Sequence, residues 1–265
     1  MLRPPNILTI AGSDSGGGAG IQADLKTMTM LGAYGMSVIT ALTAQNGLGV
    51  TGIHAPDPAV AALQLQTVLD GFRVDAAKTG MLFSSGIMEA LVPALEKKTF
   101  PLVVDPVCVS TSGHRLLEED AVETLRKRIV PLADLLTPNR PEAELLAGMS
   151  IAGEEDMAEA GKRLLDLGAK AVLIKGGHFA ENPVMVTDWL LERDCEPVPL
   201  RQPHIATSNT HGTGCTLSAA IATWLGFEMP LRVAVTRAQE YLNRGLVKSY
   251  APGEGFGPPN HMAWK

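Results

Sequence analysis

Asn209-Thr210-His211-Gly212-Thr213-Gly214-Cys215 runs straight into the small, apolar stretch from Thr216 to Leu225, and the rest of the chain is best read outward from that junction. It predicts a glycine turn feeding a helix over 213–225. Gly212 and Gly214 lack the Cβ atoms that would keep a charged ligand away from the backbone. The first turn of a helix carries unpaired N–H groups and the positive end of the macrodipole, so Gly212, Thr213, Gly214 and Cys215 form a candidate anion cradle. The same field biases a thiol at Cys215 toward thiolate.

Upstream, short continuous apolar runs at 6–11, 34–40, 76–79, 102–105, 134–136 and 171–175 read as buried strands. Between them lie helical stretches near 21–31, 57–71, 86–96, 118–129, 142–146 and 155–167, the second opened by an Asp57-Pro58 cap. Apolar strands alternating with helices imply right-handed crossovers and a mainly parallel central sheet flanked by helices on both faces, an α/β architecture. Residues 184–191 and 195–200 read as an antiparallel pair at one edge, and a second long helix covers 231–249. No linker, repeat or composition break divides the chain, so 1–265 reads as a single domain. In open α/β sheets ligands bind beyond the carboxyl ends of the strands. The polar loops 12–20, 80–81, 105–113, 137–142, 175–178 and 207–215 all fall there, a convergence that outweighs any one motif.

Bulk properties narrow the field. The chain is long enough for a full core, and its composition (46% hydrophobic, 19% charged) is that of an ordinary globular enzyme. A net charge of −6 argues against a nucleic-acid or anionic-membrane surface. No apolar run approaches the roughly 18–20 residues that span a bilayer, and the first five residues contain no signal-peptide core, which suggests a cytoplasmic protein. Cys108, Cys195 and Cys215 are odd in number and far apart, which fits a reducing compartment and argues against a disulfide scaffold or a zinc site. The histidines are equally scattered.

Each remaining motif admits two readings. The loop Gly12-Ser-Asp-Ser-Gly-Gly-Gly-Ala-Gly20 fails the spacing of both a dinucleotide fingerprint and a P-loop. It is a flexible strand-to-helix turn or a substrate-closing loop, and its place at the carboxyl edge favours the second. Asp24 either faces the pocket or merely complements the helix dipole. Gln45 either bonds its own turn or presents the paired donor and acceptor that match an aminopyrimidine edge. Glu142, in Thr137-Pro138-Asn139-Arg140-Pro141-Glu142, either helps bind Mg²⁺ or sits at a helix N-terminus for the dipole. Asp105 ends a buried apolar strand and needs a partner there, which a metal hydrate or phosphate network would supply; Asp-Pro is also a common strand exit. Lys175 is placed to meet nucleotide phosphates, or lies solvated in a tight turn.

Taken together, residues 12–27, 38–46, Lys78-Thr-Gly-Met-Leu82, Val104-Asp-Pro-Val107, 137–142, 175–178 and 209–220 make the chain resemble the hydroxymethylpyrimidine/phosphomethylpyrimidine kinases of thiamine biosynthesis, within the ribokinase-like fold. The resemblance covers essentially the whole chain. It implies phosphorylation by MgATP of 4-amino-5-hydroxymethyl-2-methylpyrimidine to its monophosphate, then to the diphosphate. It implies that Gly12, Ala19, Asp24, Gln45 and Met81 line the pyrimidine site and that Asn139 and Lys175 meet ATP. It further implies that Asp105 and Glu142 organise Mg²⁺, and that Gly212, Thr213 and Gly214 form the anion hole with Cys215 as base. A homodimer is implied in the same way. Met is usual where this chain has Cys108. The nearest rival reading is a pyridoxal kinase, and a more distant one is a catalytically silent vitamin- or nucleotide-binding protein.

Overall fold

The computed structural model describes residues 3–108, 117, 120–176 and 184–264. They build one nine-stranded sheet ordered β3-β2-β1-β4-β5-β6-β7-β8-β9, where β1 is Asn6–Asp14, β2 Tyr34–Asn46, β3 Gly49–His54, β4 Ala76–Thr79, β5 Leu102–Val104, β6 Leu135–Leu136, β7 Ala171–Ile174, β8 Met185–Glu192 and β9 Val198–Pro203. The six strands from β2 through β1, β4, β5 and β6 to β7 pair in parallel. β8 and β9 add the expected antiparallel edge.

Alternation along each central strand splits the core in two. Leu8, Ile10, Leu102, Val104, Val172 and Ile174 point to one face, covered by α2 (Pro58–Gly71), α3 (Ser85–Leu95), α4 (Ala121–Thr124), α5 (Arg140–Ala147) and α6 (Glu154–Asp166). Ile7, Val103, Ala171 and Leu173 point to the other, covered by α1 (Gly20–Met30), α7 (Thr213–Gly226) and α8 (Leu231–Val247). Strands buried on both faces must be apolar throughout, which is why they were legible as continuous runs.

Three expectations needed revision. The opposite edge is also antiparallel, because β2 continues to Asn46 and turns back through Gly47-Leu48 into β3. β3 is mostly half-buried or exposed and contains two glycines, so it carries no hydrophobic period. β1 likewise runs on to Asp14, shortening the glycine loop. The helix expected over 118–129 begins at Ala121, widens into a π-helical turn at Leu125–Ile129 and closes in a 3₁₀ turn containing Pro131. Its residues 118–119, with loop residues 109–113 and Gly177-His178, lie outside the described residues.

Candidate active site

The carboxyl ends of β1, β2, β4, β5 and β7 open into a cavity of about 690 Å³ that reaches from Gln45 at one end to β9 and α8 at the other. Its wall contains every residue singled out from the sequence except Asp24.

Asp24 sits one turn into α1 and is fully buried, accepting from Thr9 Oγ1 at 2.6 Å and Lys78 Nζ at 3.2 Å. Burial pushes its carboxyl above the usual range, more than the attraction of Lys78 pulls it down, while Asp24 holds Lys78 charged. The structure therefore places Asp24 behind the cavity wall as half of an ion pair with no solvent access. Sequence reasoning did not find Lys78 as its partner, which lies 54 positions away on β4.

At the floor, Gly212 takes a left-handed conformation (φ 77°) and begins α7, whose first turn no side chain caps. A Cβ on Gly212 would strike the carbonyl of Gly18, so the anion turn and the glycine loop fit only as backbone against backbone. A Cβ on Gly214 would sit 3.4 Å from both Asp105 Oδ2 and Lys175 Nζ, so this side of the turn faces that pair. The glycine loop is tied down by Asp14, which accepts N–H bonds from Gly16, Gly18 and Ala19 at 2.8–3.0 Å. His211 Nε2 lies 2.9 Å from Asp14 Oδ2 and 3.3 Å from Gln45 Nε2. Burial works against the Asp14 charge, but His211 and the loop amides outweigh it and lower its pKa. Gln45 belongs to strand β2, where its N–H donates to Ser15 Oγ at 2.9 Å; its amide oxygen accepts from Thr43 Oγ1 at 3.1 Å, two residues back, while its amide nitrogen faces His211. Asp14 and His211 were present in quoted motifs, but nothing in the spacing showed that they pair across 197 positions.

Cys215 corrects an expectation. Burial, with the charges of Asp24 and Asp105 adding to it, pushes the thiol up to about 11 against the pull of Lys78 and the Gly20 N–H; the helix-end field that favours thiolate does not prevail. The field was readable from local sequence; the desolvation comes from the sheet and the glycine loop folding over it.

On the nucleotide side, Asp105 is 2% exposed and accepts from Lys175 Nζ at 3.1 Å and Ser218 Oγ at 3.3 Å. Burial opposes the Lys175 charge, but Asp105 and Glu142 overcome it and raise its pKa. Glu142 serves both readings given for it. It completes a capping box with Asn139, and it lines the cavity with Oε1 accepting from Cys108 N–H and Oε2 from Asn139 N–H. Burial raises its pKa against the attraction of Lys175, and Asp105 adds to the rise, so a further cation would be accommodated here. Among the described residues no group of three protein ligands could hold a metal by itself. Two carboxylates beside the Lys175 ammonium fit Mg²⁺ carried in with nucleotide phosphates, since Mg²⁺ keeps few protein ligands. Further along, Asp188 on β8 accepts from Gly176 N–H at 2.8 Å and Gln239 Nε2 at 2.8 Å, bracing the turn that carries Lys175. One carboxylate in an amphipathic strand gave no sequence signal.

The chain matches the family model for phosphomethylpyrimidine kinase over residues 14–260. It is 49% identical over 261 residues to the thiamine biosynthesis bifunctional protein ThiED of Geobacter sulfurreducens, an alignment covering 97% of this chain and 52% of that protein, so the chain spans about half the length of that relative. It is 44% identical to the hydroxymethylpyrimidine/phosphomethylpyrimidine kinase of Haemophilus influenzae, over 100% of this chain and 99% of that one. Among solved structures it is similar to the ADP complex of a pyridoxal kinase from Bacillus subtilis, with a TM-score of 0.90 and 35% identity over 99% of each chain.

Proposed function

This chain belongs to the phosphomethylpyrimidine kinase family, and from that premise we propose that its cavity carries both phosphoryl transfers of thiamine biosynthesis, from ATP to the hydroxymethyl group of 4-amino-5-hydroxymethyl-2-methylpyrimidine and then to the monophosphate formed. The observation that carries the proposal is the uncapped first turn of α7 lying between the Gln45 end of the cavity and the Lys175–Asp105 pair.

Phosphoryl transfer is chiefly positioning and charge neutralisation. In this reading Gln45, Met81, Gly12 and Ala19 hold the pyrimidine, and the amides of Gly214 and Cys215 face the charge that develops on the migrating group. Lys175 and Asn139 hold the nucleotide. Mg²⁺, bound by Asp105 and Glu142 together with phosphate oxygens, would supply additional charge neutralisation. Asp24 acts through Lys78 from behind the wall. Cys215 accepts the alcohol proton in the first transfer. Its high pKa makes the thiolate a strong base but a scarce one near neutrality, so the first step gains rate with pH. The second step is attacked by a phosphate oxygen already largely ionised at pH 7, with a second pKa of about 6, and needs no base. The glycine loop, held on the anion turn by Asp14 and His211, excludes water from both. The proposal takes the chain as one kinase domain, acting in the cytoplasm as a homodimer; size-exclusion chromatography with light scattering checks the last point.

The structural likeness to a pyridoxal kinase favours a second reading, vitamin B6 phosphorylation. Steady-state kinetics on the two alcohols side by side decide between them. Turnover of the hydroxymethylpyrimidine with kcat/KM well above that for pyridoxal is the expected result; the reverse order would assign the chain to the second reading. Binding of MgATP with neither alcohol turned over would overturn both. Cys215→Ala is expected to lose far more of the first transfer than of the second, and equal losses would make the thiol a phosphate positioner.

A further inference from the structure

The tail after α8 plays no part in the mechanism above, yet it returns to the pyrimidine end of the cavity and touches three separate pieces of it. Phe256 N–H donates to the carbonyl of Gly47 at 2.8 Å, at the turn of the hairpin that carries Gln45. Gly257 accepts from His211 N–H at 3.1 Å and donates its own N–H to Asn209 Oδ1 at 3.1 Å, both on the stretch leading into the anion turn. Pro258 lies 3.5 Å from where a Cβ on Gly18 would stand, against the glycine loop. Beyond these contacts the tail is anchored. Asn260 N–H donates to Gly245 O at 2.9 Å, Tyr241 Oη donates to His261 O at 2.8 Å, and Thr216 Oγ1 lies 3.1 Å from His261 Nε2. Trp264 packs against Trp224 and Tyr241 with Arg244 4.6 Å above its ring.

We infer that residues 254–261 are a positioning strap for the pyrimidine half of the site, with Gly255, Gly257 and Asn209 as its working residues. The inference rests on the pyrimidine reading of the Gln45 end. Its physical basis is that the tail ties together an edge hairpin and an irregular loop that no strand pairing joins. The β2–β3 hairpin is an outermost pair with an irregular register at Ala44/Gln45, and no residue of β3 is fully buried, only Val50 and Ile53 packing against Ala41 and Met81. The stretch 207–211 is irregular backbone whose amides must find partners outside a ladder. The tail fixes both to α7 and α8 and so sets the separation between Gln45 and the thiol. Gly255 makes this closeness possible. Its φ is 84°, and a Cβ there would strike the backbone of Gly47 and approach that of Leu48, atoms that cannot swing aside as a side-chain tip can. Among the described residues, no hydrogen bond joins residues 254–258 to β7, β8 or β9.

The test is Gly255→Val, with Asn209→Ala as the milder variant that removes one strap bond and adds no bulk. ADP binding by calorimetry and the KM for the hydroxymethylpyrimidine are measured on both and on wild type. The expected result is a rise in pyrimidine KM of roughly ten- to a hundredfold for Gly255→Val, the scale of a reacting group misplaced by about 1 Å. A smaller rise in the same direction is expected for Asn209→Ala. ADP affinity stays within about twofold of wild type, below the 1.4 kcal/mol that a tenfold change represents. An unchanged pyrimidine KM in Asn209→Ala, or ADP affinity falling in proportion to it, would overturn the strap. If Gly255→Val does not fold, Asn209→Ala decides alone. Failure of wild type to phosphorylate the pyrimidine would sink the reading the strap rests on, a separate result read before either variant.

Discussion

The protonation of Cys215 is the sharpest quantity the structure yields. Its pKa rises from 9.0 to about 11, so removing the proton in the unliganded protein costs about 3 kcal/mol more than in a free thiol. Roughly three thiols in ten thousand are then ionised at pH 7.5. Alkylation by iodoacetamide goes through the thiolate, so peptide-resolved mass spectrometry of the wild-type protein across pH 6–10 reports the ionisation of each cysteine separately. Cys195 is exposed and serves as the internal reference. Cys215 should alkylate far more slowly than Cys195 at pH 7.5, and its rate should still be climbing tenfold per pH unit at pH 9.5. Lys78→Met, which removes the nearest positive charge opposing burial, should slow it further. A plateau for Cys215 below about pH 8.5 would refute the reasoning, because it would mean that the helix-end field and Lys78 outweigh desolvation.

Other perturbations follow from the same contacts. Lys78→Met leaves the fully buried Asp24 without its cation and should cost about 3–5 kcal/mol, a Tm loss of roughly 10 °C by calorimetry, while Asp24→Asn combined with Lys78→Met should recover most of it. His261 is held neutral by burial, with its pKa lowered from 6.5 to about 4. A histidine depressed in the folded state contributes stability that is complete above pH 6.5 and lost as pH falls toward 4. Urea midpoints should therefore drop between pH 7 and pH 5 by an amount worth about 2 kcal/mol more in wild type than in His261→Gln. Asp188→Asn should behave almost as wild type, since the amide oxygen still accepts from Gly176 and, with the Gln239 amide turned over, the amide nitrogen donates to Gln239 Oε1, which has no partner among the described residues. Asp188→Ala frees the Gly176 amide and should raise the KM for ATP by roughly thirtyfold, about 2 kcal/mol.

Much of this architecture was legible because the physics behind it is local. The central strands had to be apolar on both faces, and the anion turn needed glycine at Gly212, so composition and spacing alone located both. What could not be read was decided across space. β3 has no hydrophobic period because none of its residues is fully buried, only Val50 and Ile53 packing on a small cluster with Ala41 and Met81. Asp24 looked like a pocket residue because a carboxylate one turn into a helix beside a glycine loop has two destinations, and only the packing of α1 on β4 selects Lys78. Asp14 and His211 sat in separate motifs whose juxtaposition requires the closed sheet. The tail strap binds almost wholly through backbone amides and carbonyls, which leave no mark on side-chain patterns beyond glycines at 255 and 257.

The charges of the site explain why such pairs were placed where sequence cannot show them. Lys78 is matched by Asp24 behind the cavity wall and Lys175 by Asp105 on its lining, so each buried ammonium is already paired with one carboxylate. Glu142 remains as the surplus acid, with its pKa raised by burial and by Asp105. Burial and Asp105 weaken its hold on a negative charge while Lys175 strengthens it, so a second cation arriving with a nucleotide would favour its ionised form. The uncapped amides of α7 stand beside these pairs as a further positive element, and in the proposed reaction they act where electrostatic preorganisation contributes most.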